Sequence, residues 1–513
     1  MRWRRLAATC GLLAATALGC TKEGDRVLIV VNEDSPISLA IGARYAELRG
    51  VPDTNLVRLS LDTPDPALAT DTHETMPLDH YRALVRDPIR KHLQRNELEE
   101  RIDYIVTTKG VPLRIEGLAG SGRFDAVLRD ATRASLDSEL MLLFSGGDGE
   151  PGAVPNPYFG AEVPIREFRE NRAEAAPRYL VARLTGTLGA QDPRDGVPMT
   201  VERLLRVARE DADERATWLL DGDPEQVEPF QAANQLLTHA ADTLRALGVP
   251  VVHKREARFA ALAGEDRHIQ GYASWGSNDR NAPDAPYYGR IGGVLYPGRF
   301  AARSIAMDFV STSARSFTRP ARYGQSLVSD LLELGAAGVG GHVYEPTLST
   351  VPHPDRFFAR YARGATAAEA YWSSVPTLGW MHTYIGDPLM RLEADYATPS
   401  EDRDGDGVPD ASDNCIDDPN RQQRDTDSDG YGNFCDADIN NDGLVTTSWG
   451  EIFPLGERGD IEWIGLTIRS GVYDENHDLD GDGRVGSLDL ARAQIQLYQS
   501  PGPSASRPAG QER

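Results

Sequence analysis

The chain has 513 residues, 40% hydrophobic and 26% charged, which excludes wholesale disorder; a prior of roughly 150 residues per domain suggests about three folded units. The formal net charge is −24, and residues 401–500 carry 24 acidic against 7 basic side chains, so the excess belongs to one segment. That balance argues against a nucleic-acid partner, whose phosphates need clustered Lys and Arg.

Residues 1–20 read as an export signal, with Arg2, Arg4 and Arg5 ahead of an apolar stretch from Leu6 to Leu18 and a small residue, Gly19, before Cys20. The ending Ala17-Leu18-Gly19-Cys20 resembles a bacterial lipobox, which implies lipidation of Cys20 at the mature N-terminus. Ala17 stands where Leu is favoured, and ordinary secretion with Cys20 discarded or unmodified is the alternative. No other apolar run approaches the roughly 18 residues that a membrane helix requires. Membrane contact is therefore expected only through a lipidated N-terminus, in a protein of the cell envelope or the extracellular space.

Residues 25–395 alternate short apolar runs with helical stretches, the pattern of an α/β fold with a largely parallel sheet flanked by helices. Val27–Val31 reads as a buried strand. Asp34 or Ser35 can cap a helix that Pro36 opens and Gly50 ends. Strands follow at Asn55–Leu61, Ile102–Thr107, Tyr179–Leu184, Ala216–Leu220, Gln270–Trp275, Ile305–Val310 and Ala336–Tyr344, with helices at Leu78–Arg95, Met199–Ala212, Gln231–Leu247 and Ser326–Leu334. Gly338, Gly340 and Gly341 suit a strand that another part of the backbone approaches closely. The Gly-rich stretch Ser145–Gly149 reads as a flexible connection.

Ligands of such sheets sit beyond the carboxyl ends of the strands. The polar residues there are Asn32 and Ser35, Thr108 and Lys109, Ser274, Ser277, Asn278 and Asp279, and His342 with Glu345. Each alone is more often structural; together they outline a pocket at this edge, with Asn32, Ser35, Lys109 and Glu345 as its candidate residues.

The same segments resemble an uncharacterised family of exported bacterial proteins. The resemblance rests on Leu28–Asn32 with Ser35, Arg49-Gly50-Val51-Pro52 with Asn55, Lys109–Arg114, Asp137–Leu140, Gly341–Pro346 and Gly386-Asp387-Pro388-Leu389. It implies a domain and no activity. Strand order and the Gly-Asp-Pro-Leu ending also look distantly like gingipain-type, caspase-like peptidases. No cysteine lies between Cys20 and Cys415, however, so the body has no thiolate nucleophile. A serine variant would draw on Ser274 or Ser277 with His342 and Asp279, and His353 and His382 have weaker cases. Nucleotide-binding loops, the serine-hydrolase elbow and the zinc-peptidase helix motif are all missing.

The acidic segment is phased. Asp402, Asp404, Asp406-Gly407, Asp410 and Asp413-Asn414-Cys415 are followed by Asp425, Asp427, Asp429-Gly430, Gly432 and Cys435-Asp436. Alternate carboxylates before Gly let a tight turn aim several oxygens at one hard cation such as Ca²⁺. With Cys10 lost in the signal and Cys20 the lipid candidate, Cys415 and Cys435 remain to pair, a closure worth about 3 kcal/mol in the chain-entropy model. Residues 400–436 resemble a pair of thrombospondin type 3 repeats, which implies calcium ligation by these aspartates and stapling by the two cysteines.

In residues 437–500, Asp478, Asp480, Asp482-Gly483, Arg484, Gly486 and Asp489 fill positions 1, 3, 5, 6, 7, 9 and 12 of an EF-hand loop, with Arg484 supplying its carbonyl. Leu488, Ala491, Ile495 and Tyr498 then recur at helical spacing. This resembles a dockerin repeat. An earlier copy holds Asp438, Asn440 and Asp442-Gly443, but Trp449 occupies position 12, the nearest acid is Glu451, and Pro454, Gly456 and Gly459 weaken a following helix. Dockerins bind cohesins through paired helices, so a cohesin-like partner or other cell-surface component is implied; a self-contained calcium-stiffened module is the other reading. Residues 501–513 read as a disordered end. Chelation is expected to loosen the acidic segment and leave the body folded.

Two functional readings result: a calcium-binding surface or secreted protein acting in binding, adhesion or docking, and an exported hydrolase of peptides or polysaccharides with a serine-based or degenerate caspase-like site.

Overall fold

The computed structural model describes residues 22–61, 74–117, 133–145, 152–171, 177–213, 215–223, 231–255, 260–262, 268–276, 288–291, 294–319, 325–393, 403–404, 406, 408, 410, 413–447 and 458–504. Cys20, Ser277, Asn278, Asp279, Asp402, Trp449, Glu451 and most of the Ser145–Gly149 connection therefore lie outside the described residues.

The body is an α/β domain on a ten-stranded sheet. Its strands are β1 (Val27–Asn32), β2 (Leu56–Leu59), β3 (Tyr104–Thr108), β4 (Leu180–Leu184), β5 (Thr217–Gly222), β6 (Val251–Arg255), β7 (His268–Ser274), β8 (Arg299–Asp308), β9 (Gly338–His342) and β10 (His382–Gly386), arranged β6-β5-β7-β8-β9-β10-β4-β3-β1-β2. The helices are α1 (Pro36–Arg49), α2 (Asp87–Arg95), α3 (Leu136–Leu140), α4 (Ile165–Asn171), α5 (Met199–Val207), α6 (Gln231–Ala246), α7 (Val328–Glu333), α8 (Pro354–Ala362) and α9 (Ala367–Trp372), with α10 (Asp460–Ser470) and α11 (Ser487–Ile495) in the acidic segment.

β1 is apolar through Val31 because both of its faces are covered, and all six of its residues are buried. Ser35, not Asp34, caps α1 by accepting the Ser38 N–H; Pro36 follows, and Gly50 closes the helix in the left-handed conformation at φ 65°. The expected Leu78–Arg95 helix splits, since Tyr81–Arg86 winds as a π-helical turn ahead of Asp87-Pro88, and proline has no N–H to give the ladder.

β9 and β10 pair antiparallel, with Gly338 opposite Gly386 and His342 opposite His382, and β10 meets β4 at one pair, Ile385 beside Arg183. Contacts outside the sheet fix which loops share an edge. Lys109, just past β3, donates to the carbonyl of Phe317 in the loop after β8 at 3.1 Å. At the opposite edge Arg49, at the end of α1, donates from Nε to Asp387, just past β10, at 2.8 Å. At the three glycines it is side chains, not the expected backbone, that approach closely. A Cβ on Gly338 would lie 2.1 Å from the Tyr384 hydroxyl, one on Gly340 would lie 2.2 Å from the Tyr371 ring, and one on Gly341 would lie 3.0 Å from Ser313 Oγ.

One contiguous apolar core runs under the whole sheet. A small cluster of Ala153, Trp380, Met381, Leu497 and Tyr498 joins body to acidic segment, and another of Ala437, Val445, Ile464, Leu479 and Ala493 lies within that segment. Residues 501–504, expected to be part of a disordered end, instead return to the repeats: the Gly502 N–H bonds the Cys435 carbonyl and Ser504 Oγ the Gly430 carbonyl, the latter at 2.5 Å. Among the described residues no helix is long and apolar enough to cross a membrane.

Candidate functional site

The strand-end polar residues of the body bond to one another and to backbone. Asn32 donates to the Gly110 carbonyl at 3.0 Å, Ser35 caps α1, and Thr108 Oγ1 lies 2.6 Å from Ser38 Oγ. Lys109 is buried against Phe317, whereas Glu345 is exposed, so Asn32, Ser35, Thr108 and Lys109 pack this edge and Glu345 does not. A cleft of about 690 Å³ between the loop after β4, α5 and α7 is lined by Thr187, Asp192, Met199, Arg203, Arg319 and Glu333.

The expected serine constellation is not assembled among the described residues. Ser274 Oγ lies 3.3 Å from the Tyr288 hydroxyl, which donates to Asp308 at 3.2 Å. Burial pushes Asp308 up to about 7, against hydrogen bonds from Ser313, Val310 and Tyr288. His342 Nδ1 donates to the Val310 carbonyl at 3.0 Å, and its ring lies 5.2 Å from that of His382. Nε2 of His342 and both ring nitrogens of His382 meet no hydrogen-bond partner among the described residues. Burial pushes His342 down to about 4 and His382 well below the ordinary imidazole range, so the pair is neutral and serves as packing. His353, the other weaker candidate, is buried against the Phe159 ring.

The motif residues of the body act as clips. Asp137 accepts Arg183 Nε at 2.8 Å, Thr107 Oγ1 at 3.0 Å and Thr383 Oγ1 at 2.7 Å, tying β4, β3 and β10 to α3. Asp387 accepts the Tyr45 hydroxyl at 2.8 Å together with Arg49. Arg114 reaches the carbonyls of Arg315 and Val343, in the loops after β8 and β9.

The acidic segment gathers three carboxylate clusters among the described residues: Asp404 with Asp406 and Asp413, Asp425 with Asp427 and Asp429, and Asp478 with Asp480 and Asp489, each with ligand oxygens within 4.8 Å of one another. Their loops close through the carboxylates themselves, as when Gly430 N–H bonds Asp425 Oδ2 at 3.1 Å and Gly483 N–H bonds Asp478 Oδ2 at 3.1 Å. Asp482 accepts the Arg484 N–H in the same turn, and Asp410 accepts the Arg403 N–H. A Cys415–Cys435 disulfide joins the two repeats.

Asp404 Oδ2, Asp413 Oδ2, Asp425 Oδ1 and Asp478 Oδ1 are buried and meet no hydrogen-bond donor among the described residues. Burial and then the neighbouring carboxylates Asp406 and Asp413 push Asp404 up to about 8; burial and then Asp429 and Asp427 do the same to Asp436. Asp413, Asp425, Asp438, Asp480 and Asp489 are raised as well, again chiefly by burial. Converging oxygens without donors suit a hard cation that takes six to eight oxygen ligands.

Sequence reasoning missed one carboxylate. Asp460, the first residue of α10, folds back into the loop that starts at Asp438, where it accepts the N–H groups of Asn440 and Thr446. The rest of that loop repeats the second: Gly443 N–H bonds Asp438 at 2.6 Å, and Asp442 N–H bonds Asn440 at 2.9 Å. The glycines that weaken a helix before Asp460 leave α10 intact beyond it, from Asp460 to Ser470. The signal lay in Asp460-Ile461-x-x-Ile464, which matches Asp489-Leu490-x-x-Ala493.

α10 packs on α11, and α11 also packs on α6 of the body, so one helix of the pair is engaged within the molecule. No family model matches the chain, and no curated protein matches it.

Proposed function

We propose that the chain is an exported calcium-binding protein of the cell envelope or its surroundings, in which the α/β body acts in binding or adhesion and the acidic segment holds the metal. The observation that carries this reading is the set of buried carboxylate oxygens that meet no donor among the described residues, at Asp404, Asp413 and Asp478, each within a cluster of three converging acids. Leaving such groups uncompensated costs stability, and a divalent cation offsets it. Asp404, Asp406 and Asp413, then Asp425, Asp427 and Asp429, then Asp478, Asp480, Asp482 and Asp489 with the Arg484 carbonyl, and Asp438, Asn440, Asp442 and Asp460 would hold the ions. Bound calcium would supply charge compensation and loop closure rather than catalysis.

The neutral His342–His382 pair and the missing thiol favour binding over hydrolysis. Calorimetric titration of the intact chain with calcium tests the reading. Saturable binding of more than one ion per chain, weakened in Asp478→Asn, is expected; absence of calcium binding at neutral pH would sink it. Mass spectrometry of the mature N-terminus tests lipidation of Cys20.

A further inference from the structure

The acidic segment is anchored on the body at two separate places. At the first, Asp417 lies between Arg356 of α8, at 3.3 Å, and Arg403, at 2.8 Å, while Asp418 lies 3.8 Å from His239 of α6. At the second, Leu497 and Tyr498, just past α11, pack on Trp380 and Met381, the residues that lead into β10. Phe434 bridges the two: its ring lies 6.0 Å from that of His239 on the body side, and the Arg492 guanidinium of α11 stacks 3.2 Å from its centroid.

Each anchor is set by a different carboxylate cluster. Asp417 follows Asp413 by four residues, and Arg403 precedes Asp404, so the turn that gathers Asp404, Asp406 and Asp413 also sets the spacing of the Arg403–Asp417 pair. Asp489 lies in the first turn of α11 and takes the Asp480 and Gly486 N–H groups, so the loop from Asp478 fixes the direction in which α11 presents Arg492, Leu497 and Tyr498. Without a cation, like charges in both clusters repel, and the turns that place the anchors lose their closure.

From these contacts we infer that residues 403–504 form an intramolecular clamp whose grip on α6, α8 and the Trp380–Met381 segment is set by calcium held entirely outside the body. The inference rests on the calcium reading above and extends it: the ion controls exposure of a body surface that contributes none of its ligands. It also assigns α11 an occupant, since the face that packs on α6 is covered by the chain itself. The body stays folded when the metal leaves, but this surface opens.

Hydrogen exchange of the intact chain, with calcium and with a chelator, tests the clamp alongside calorimetric titration with calcium. Chelation is expected to speed amide exchange in α6 and α8 by about tenfold or more, as for release of a local cooperative contact. Arg356→Met and Tyr498→Ala, neither of which alters a carboxylate of the three clusters, should produce the same faster exchange in calcium while the titration stays unchanged. If calcium binds and α6 and α8 exchange equally with and without it, the clamp is overturned and the calcium reading stands. If calcium does not bind, both fall together.

Discussion

Asp460 stands to the loop that starts at Asp438 as Asp489 stands to the loop that starts at Asp478. Each accepts the N–H of the third loop residue, Asn440 or Asp480, at 3.2 Å, and that of the ninth, Thr446 or Gly486, at 2.7 Å. In the second loop this carboxylate arrives at the twelfth position; in the first it arrives eleven residues later, across an insertion. Asp460→Asn is therefore expected to remove one calcium-binding step from the titration, as Asp489→Asn removes another, with the two losses additive. An unchanged isotherm for Asp460→Asn would show that Asp460 serves only as a helix cap.

Calcium binding should release protons. Without metal, Asp404 is held at about 8 by burial and by neighbouring acids, so near pH 7 it is largely protonated and the ion must displace that proton. Affinity is expected to fall as pH drops from about 8 to about 6, by up to roughly tenfold per unit for each proton displaced. Titrations in two buffers of different ionisation enthalpy would measure the release, and identical apparent heats would rule it out.

The Asp137–Arg183 pair, with both side chains 1% exposed, is a buried charge pair with further donors from Thr107 and Thr383. Removing one partner strands the other charge. Asp137→Ala or Arg183→Met is expected to cost about 3–5 kcal/mol in denaturant unfolding. The double change to matched apolar residues should recover part of that loss, and equal losses for single and double variants would contradict the pairing.

Gly340→Ala puts a methyl group within 2.2 Å of the Tyr371 ring in a strand between two neighbours, so neither side can yield freely. A loss of about 1–3 kcal/mol is expected from overpacking. Tyr371→Leu in the same chain should relieve it, which thermal melts of the single and double variants would show.

The His342–His382 pair gives the body a definite acid response. His342 is pushed down to about 4 by burial, while the unfolded side chain titrates near its ordinary value of about 6.5. Between those values the unfolded state binds the extra proton, so this contribution is complete above about pH 6.5 and is lost as pH falls towards 4. Asp308 acts with the opposite sign: raised to about 7, it favours the folded state at low pH and loses that advantage as pH rises from about 4 to about 7. His342→Phe should therefore flatten the acid loss of stability and Asp308→Asn should steepen it, as read from denaturation midpoints across this range.

The sheet was legible in the sequence where a buried strand is also apolar throughout. β1 reads as a strand because every position through Val31 is apolar, and α1 because Ser35, Pro36 and Gly50 mark both of its ends. β6 was not, since Val251–Arg255 lies at the sheet edge and carries His253, Lys254 and Arg255. β10 was not, because His382 and Thr383 look polar in sequence, although Thr383 is satisfied by Asp137 inside the core. α8 hides a helix whose charged Arg360 is buried through its bond to Tyr158, which blurs the apolar stripe. α9 carried a readable signal, the Thr366-x-x-Glu369 capping box. Within the acidic segment the alternate aspartates were plain, whereas Asp460 was hidden by an insertion that breaks the spacing. The Asp308, Tyr288 and Ser274 cluster depends on a contact between separate loops that no local pattern records.

The place of β10 has a consequence for assembly. It is the last strand of the body in sequence, yet it lies between β9 and β4, at the seam of the sheet. A chain emerging from its N-terminus must therefore hold two half-sheets with open inner edges until residue 386 is free, and pairings this distant in sequence form slowly. Truncation anywhere before β10 leaves those edges exposed to other chains. The seam works as a completion lock, fastened from the C-terminal side only when the rest of the body is in place.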